Sequence, residues 1–343
     1  PELRKLADRL GALTAGTALA LNLLEGDGYL GVAGGFGTDT AAGLMGEADV
    51  VLVAGASLSP FTMRFGHLIG PDSTVIQIDA ALQPTHPRVD TFVSGDVKAA
   101  AERLLTLLAD PAAPAARPSE AWRAEARNRL AEGPAHHPGA AETPDGRLDP
   151  RSLAKALDAV LPERRTVVQD GGHFVGWAPM YWNIPRPQDL VMVGTAYQTI
   201  GLGLASAVGA ARAVEEDRTL VLASGDGGFL MGLSDLESLI GAARSAVVVI
   251  YNDAAYGAEI HQYGSQGLTE KPMLIPEVDF SGVARALGAE SAIIRSLEDL
   301  SALTDWIDSG ARGTFVADCR ISQQVVAPYI IEVREAAMRA ATR

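Results

Sequence analysis

Two oxygen-bearing side chains, Asp226 and Asn252, each follow a short apolar run, Thr219-Leu220-Val221-Leu222-Ala223 and Ala246-Val247-Val248-Val249-Ile250-Tyr251. Runs this branched and continuously apolar predict strands buried on both faces of a parallel sheet. Between them Phe229, Leu233, Leu236 and Ile240 recur at helical spacing, which predicts one crossover helix with a single face on that sheet. Asp226 and Asn252 then leave the C-terminal ends of neighbouring strands, the edge at which open α/β sheets bind ligands. Their oxygens can converge on one ion. Mg²⁺ takes one or two protein oxygen ligands and completes its octahedron with phosphate and water, so this sparse pair suits it. Gly225, Gly227 and Gly228 carry no side chains and let backbone N–H groups at the helix start approach anionic phosphate oxygens, which the helix dipole also favours. The spacing predicts a diphosphate site built around a divalent metal.

Gly225-Asp226-Gly227, the stretch to Tyr251, and Asn252 together resemble the signature of thiamine-diphosphate enzymes of the acetolactate synthase and 2-oxo acid decarboxylase superfamily. That resemblance implies Mg²⁺ held by Asp226, Asn252 and the backbone carbonyl two residues after the Asn, which is Ala254's. Tyr256-Gly257 complete the motif and join the implied cofactor site. Relatives often carry a second Asn where this chain has Asp253. Gly194 to Ala210 resembles the segment that cradles the cofactor's aminopyrimidine. Ile200, where relatives have Met or Ile before a Gly, would prop the cofactor in its bent, reactive conformation. Backbone groups of Gln198 and Ile200 would meet the pyrimidine edge, although Gln198 stands where relatives often have Gly and Ala205 where many have Pro. The same segment also reads as a small-residue helix packed on the sheet, with the turn before Gly201 functional and the helix after it structural. Val167 to Trp177 resembles the family's first strand and diphosphate loop, placing Gly172 and His173 beside the diphosphate, although a lone His in a turn also serves packing. His173 replaces a Gln seen in many acetolactate synthases. Ala258 to Tyr263 resembles the helix that covers the reactive ring, where His261 is either a general acid or a surface-helix histidine.

The first third of the chain extends the resemblance. Asp49 to Gly55, Thr74 to Asp79 and Phe92 to Asp96 read as strands, the last followed by an Ala/Leu-rich helix through Leu108. They resemble the family's central domain, which binds flavin (FAD) in some members and nothing in others. Gly31 to Gly37 lacks the GxGxxG spacing and precedes no clear crossover helix in the required place, so FAD is the weaker expectation. From Ala109 to Gly146 the composition turns to Ala, Pro, Arg and Glu, interrupted by a short helix near Ser119 to Ala131 with Ser119 as cap. His136-His137, flanked by Pro and lacking a third ligand, reads as a solvated turn. The predicted fold class is α/β, with two doubly wound parallel-sheet domains: a central domain over 1–112, a linker over 113–147 and a thiamine-diphosphate/Mg-binding domain over 148–343.

The chain has 343 residues, 48% of them hydrophobic, enough for two cores. A net charge of −14 leaves no basic footprint for nucleic acid, and no leader or membrane-length apolar run is seen. A single cysteine, Cys319, excludes an internal disulfide and fits a reducing cytoplasm. Pro1 to Leu10 starts directly in a helix that relatives reach only after a pyrimidine-binding domain and one more strand. The resemblance therefore implies a missing N-terminal domain or partner subunit, which would carry the glutamate that activates the cofactor; neither Glu237 nor Glu259 matches that glutamate's motif. With that part present, the implied activity is an acetolactate synthase-like carboligase or lyase acting on small 2-oxo acids, working as a homodimer or homotetramer. The alternatives are a 2-oxo acid decarboxylase, a 2-hydroxyacyl-CoA lyase, and a non-enzymatic cofactor-binding remnant or regulatory subunit.

Overall fold

The computed structural model describes residues 1–112, 120–133, 135–193 and 199–341. The chain divides into two compact units, Pro1–Ala135 with Ala336–Arg343, and His136–Glu335. Both are α/β, and every ladder among their named strands is parallel. Among the described residues no helix is long and apolar enough to cross a membrane.

In the first unit α1 (Glu2–Leu10) precedes a small ladder of β1 (Thr14–Gly16) and β2 (Tyr29–Val32), and α2 (Asp39–Gly46) follows. A helix does follow the Gly31 to Gly37 loop, but it joins strands of two different sheets, β1-β2 and β3-β4-β5, and is not a crossover within one sheet. It starts there because the Thr38 hydroxyl accepts the Ala41 N–H at 3.2 Å and caps it. Next come β3 (Val50–Ala54), β4 (Thr74–Asp79) and β5 (Thr91–Ser94) in sheet order β3-β4-β5, then α3 (Val97–Ala109), capped by Asp96. Helix α4 (Glu120–Glu132) occupies the segment expected as linker, yet it is part of this unit's core. Its buried Arg123 donates to the Ala7 and Ala12 carbonyls and pairs with Asp8 at 3.2 Å. The predicted cap Ser119 lies outside the described residues.

The second unit opens at His136, earlier than expected. Tyr181 donates to the His137 carbonyl at 2.7 Å, and Leu148 bridges to Ile321. Its elements are α5 (Pro150–Val160), β6 (Arg165–Gln169), α6 (Trp177–Tyr181), β7 (Leu190–Met192), α7 (Gly203–Ala213), β8 (Thr219–Gly225), α8 (Asp226–Met231), α9 (Asp235–Ala242), β9 (Ser245–Asn252), α10 (Gly257–Gln262), α11 (Phe280–Ala286), β10 (Glu290–Ile294), α12 (Ser301–Asp308), β11 (Gly313–Arg320) and the start of α13 (Pro328–Ala341), whose residues from Ala336 onward belong to the first unit. The sheet runs β10-β11-β9-β8-β6-β7. Strands β6, β8, β9 and β11 are buried almost throughout, as parallel strands covered on both faces must be. Alternate residues Leu220, Leu222, Val248, Ile250 and Val316 pack with Leu204, Leu236, Leu239 and Phe280 on one face. The single crossover helix expected between β8 and β9 is two helices. Gly232 separates them where the Gly201 turn comes so close that a Cβ on Gly232 would lie 2.8 Å from the Gly201 carbonyl oxygen.

From β6 the chain goes to β7 on one side and returns to β8 on the other. The order thus reverses between β6 and β8, and the crevice outside that switch point is where such sheets take ligands.

Candidate functional site

The loops leaving β6, β8 and β9 surround one cleft at that switch point, bounded by Gly172, His173, Ile200, Asp226, Asp253 and Tyr256 among others. Asp226 is the first residue of α8 and only 3% exposed. One carboxylate oxygen accepts its own chain's Gly227 N–H at 2.9 Å, and the other accepts the Ala255 N–H at 3.2 Å. Burial raises its pKa to about 6, against the pull of these N–H donors. Asp253, 6% exposed, is pushed well above the ordinary carboxylate range by burial and then by the charge of Asp226. Two buried carboxylates thus repel each other across one cleft. A cation between them would relieve both.

The Asn252 side chain and the Ala254 carbonyl, expected to meet a metal beside Asp226, do not border the cleft, although the Ala254 N–H does reach the Asp226 carboxylate. Asn252 is fully buried, and its amide donates to Asp318 Oδ1 at 2.9 Å and to the Val278 carbonyl at 3.4 Å, within the sheet rather than toward the cleft. Ala254's carbonyl already accepts the Ile275 N–H at 2.9 Å. The next residue along in each case, Asp253 and Ala255, borders the cleft instead. The expectation was one residue out of step, and successive side chains along an extended segment point to opposite faces.

The glycines fit the close packing. A Cβ on Gly257 would lie 2.6 Å from Asp253 Oδ2, and one on Gly227 the same distance from the Tyr256 ring. Gly225, Gly228 and Gly172 border the cleft as expected. Ile200 is half-buried there, its branches lying 3.3 and 3.2 Å from where Cβ atoms on Gly171 and Gly228 would be, so it wedges between two glycine loops. Gln198 lies outside the described residues.

His173 is 7% exposed. Its Nε2 accepts the Ala327 N–H at 3.0 Å, which puts the imidazole proton on Nδ1. Burial, then the neighbouring His261, lowers its pKa to about 3, so the ring is neutral. Tyr329 holds the loop by accepting the Gly176 N–H at 3.0 Å and donating to the His173 carbonyl. His261 is neither a cleft acid nor a surface histidine: it is 8% exposed, packs ring to ring behind His173 with centroids 4.5 Å apart, and does not border the cleft.

Asp170 was missed. It is 1% exposed at the end of β6, and its carboxylate accepts N–H groups of Gly171 at 2.8 Å and Gly201 at 3.0 Å and the Ser224 hydroxyl at 3.3 Å. One side chain ties the loop after β6, the turn before α7 and β8 together. An acid between a buried strand and two glycines was the available signal. Among the described residues no three His, Cys, Asp or Glu side chains converge as a metal cage.

Comparison with known proteins places these features in a family. The central-domain model of thiamine pyrophosphate enzymes matches residues 1–104, and the model of their C-terminal TPP binding domain matches residues 170–317. Sulfoacetaldehyde acetyltransferase of Castellaniella defragrans is 26% identical over 96% of this chain and 59% of its own length. Acetolactate synthase of Bacillus subtilis (strain 168) is 26% identical over 80% of this chain and 47% of its own length. The chain thus spans about half the length of the curated relatives it matches. A solved thiamine diphosphate-dependent 4-hydroxybenzoylformate decarboxylase from Rhodococcus jostii RHA1 shares the fold, with a TM-score of 0.67 at 18% identity over 94% of this chain and 58% of that one. With central and C-terminal models together matching most of its length, this chain belongs to the thiamine pyrophosphate enzymes.

Proposed function

We propose that this chain is the metal- and diphosphate-holding part of an acetolactate synthase-like carboligase or lyase acting on small 2-oxo acids. The observation that carries this reading is the pair of buried carboxylates, Asp226 and Asp253, facing one cleft at the switch point with glycine loops on either side. Two carboxylates and the Ala255 carbonyl are the sparse oxygen set that Mg²⁺ takes when phosphate and water supply the rest. The carboxylates' mutual repulsion and raised pKa values suit a pair that shares a cation.

When bound, thiamine diphosphate supplies an electron sink for the bond broken beside a carbonyl. The chain's own share is to hold and orient. Asp226 and Asp253 would carry the Mg²⁺, and the glycine backbone of Gly225, Gly227 and Gly228 leaves room for diphosphate oxygens. His173, neutral and with its proton on Nδ1, is a donor suited to an anion and does not add charge of its own. Ile200 would support the organic part of the cofactor, and Tyr256 and Gly257 close the wall beside it.

Relatives named as an acetyltransferase and an acetolactate synthase support an acyl-transferring or carboligating outcome. Turnover would need a pyrimidine-binding domain or partner subunit, so this chain alone is expected to bind without turning over. A cytoplasmic location and a homo-oligomer belong to the same proposal. The test is calorimetric titration of thiamine diphosphate into the purified chain with Mg²⁺ and with EDTA. Binding that requires Mg²⁺ supports the reading, and equal affinity in both overturns it.

A further inference from the structure

We infer that Asn252 and Asp318 form a clamp beneath the site that sets Asp253 opposite Asp226, making Asn252 and Asp318 positioning residues rather than ligands. This rests on reading the Asp226–Asp253 cleft as a cation site.

In the β9–β11 ladder Ile250 pairs with Asp318 and Asn252 with Arg320, so the side chains of Asn252, Asp318 and Arg320 share one face of the sheet. All three are buried, at 0%, 0% and 4% exposure. Asp318 Oδ1 accepts the Asn252 amide at 2.9 Å, and its Oδ2 accepts the Phe280 N–H at 3.1 Å and Arg320 Nη2 at 2.6 Å. Arg320 in turn donates to the Val278 carbonyl at 2.8 Å and pairs with Glu277 at 3.1 Å. The Asn252 amide nitrogen is therefore aimed at a carboxylate that is itself fixed from two other sides.

The other end of the same amide acts on the turn. Asn252 Oδ1 accepts the Ala254 N–H at 3.3 Å, and Ala254 has φ +58°, a left-handed conformation that a side-chain-bearing residue adopts at a cost. A local side-chain acceptor of this kind stabilises such a turn. With Asn252 held to the sheet, Asp253 must leave on the opposite side, and the left-handed residue turns the Ala255 N–H back to Asp226 at 3.2 Å. Only a side chain with both a donor and an acceptor can reach Asp318 and Ala254 together. Aspartate lacks the donor, and leucine lacks both.

The experiment compares the wild-type chain, Asn252→Asp, Asp318→Asn and the double swap Asn252→Asp/Asp318→Asn by amide hydrogen exchange without cofactor, so its readout needs no bound ligand. Asn252→Asp sets two carboxylates face to face and should speed exchange at residues 254 and 255 by about tenfold, while residues 219–224 of β8 keep wild-type protection. The swap restores one donor and one acceptor and should return residues 254 and 255 to within about twofold of wild type. Unchanged exchange at 254 and 255 in Asn252→Asp overturns the clamp. So does a uniform rise through both segments that the swap fails to reverse, because that is the signature of a general structural role. Mn²⁺ titration of the same proteins, followed by electron paramagnetic resonance, separates the two readings. A clamp that only shapes the cation site leaves wild-type and swap affinities alike and weakens Asn252→Asp, whereas a wild-type chain that takes up no Mn²⁺ overturns the cation site itself.

Discussion

The imidazoles of His173 and His261 lie 4.5 Å apart, centre to centre, tilted by 52°, and the inner ring is held neutral by burial and then by its histidine neighbour, with its Nε2 taken by the backbone N–H of Ala327. A buried neutral histidine makes stability depend on pH in a definite direction. The His173 pKa is about 3 in the fold against an ordinary value of 6.5. Below pH 6.5 the unfolded chain binds a proton that the folded chain refuses, so this contribution is whole above pH 6.5 and is lost progressively between pH 6.5 and 3. The slope is about 1.4 kcal/mol per pH unit well inside that window. Asp226 works the other way, since its raised pKa lets the folded state bind a proton first. Urea unfolding of the wild-type chain and of His173→Gln at pH 7.5 and pH 5 isolates the histidine, because the Asp226 contribution is common to both. The stability gap between the two proteins should shift in favour of His173→Gln by about 2 kcal/mol on acidification; a pH-independent gap would mean that His173 takes up its proton alike in the folded and unfolded chain.

Two carboxylates at the cleft, where the family often has one and an amide, should give the chain an affinity for divalent cations before any diphosphate arrives. Asp253→Asn removes one full charge and is expected to weaken Mn²⁺ binding about tenfold, and Asp226→Ala to abolish it. Because burial raises the Asp226 pKa to about 6 and pushes Asp253 up as well, Mn²⁺ affinity should fall as pH drops through 6. Titrations at pH 7.5, 6 and 5 check this directly. An affinity unchanged at pH 5 would show that Asp226 is not a ligand.

Asp170→Asn tests the knot that joins three loops. The variant turns an acceptor-only group into one that must present an NH₂ among the N–H groups of Gly171 and Gly201 and the Ser224 hydroxyl. Leaving a buried donor unmatched costs about 1–3 kcal/mol. Chemical denaturation should show that loss, and hydrogen exchange should show it concentrated at Gly171 and Gly201.

Why Asp226 was legible from sequence and Asp253 was not has a physical answer. The runs ending at Gly225 and Asn252 are apolar and branched, so the strands and the sheet edge they reach follow from composition. Which of Asn252 or Asp253 faces the cleft depends on where the pleat stops, and a shift of one residue exchanges the two faces. That is decided by Asp318, on a strand some sixty residues later, taking the Asn252 amide. The broken crossover helix has the same origin: the approach of the Gly201 turn to Gly232 is a tertiary fact that helical periodicity does not encode. Likewise α4 looked like linker because its surroundings are rich in Ala and Pro, and only the reach of Arg123 to Ala7 and Ala12 makes it core.

Glu259 offers the last prediction. It lies in the first turn of α10, half-buried, and borders the cleft, and its carboxylate makes no hydrogen bond or ion pair among the described residues. Asp226 and Asp253 are committed to each other's neighbourhood and His173 to Ala327, which leaves Glu259 as the cleft carboxyl free to exchange a proton with a ligand. Glu259→Gln keeps its size and removes that capacity. Assayed with the proposed pyrimidine-binding part, this variant should keep Mg²⁺-dependent thiamine diphosphate affinity within about twofold and lose about a hundredfold in turnover, the range for removing a general acid or base. Calorimetry and a CO₂-release assay on pyruvate read the two quantities separately. Equal turnover would place Glu259 among bystanders, and a parallel loss of cofactor affinity would make it part of the binding wall instead.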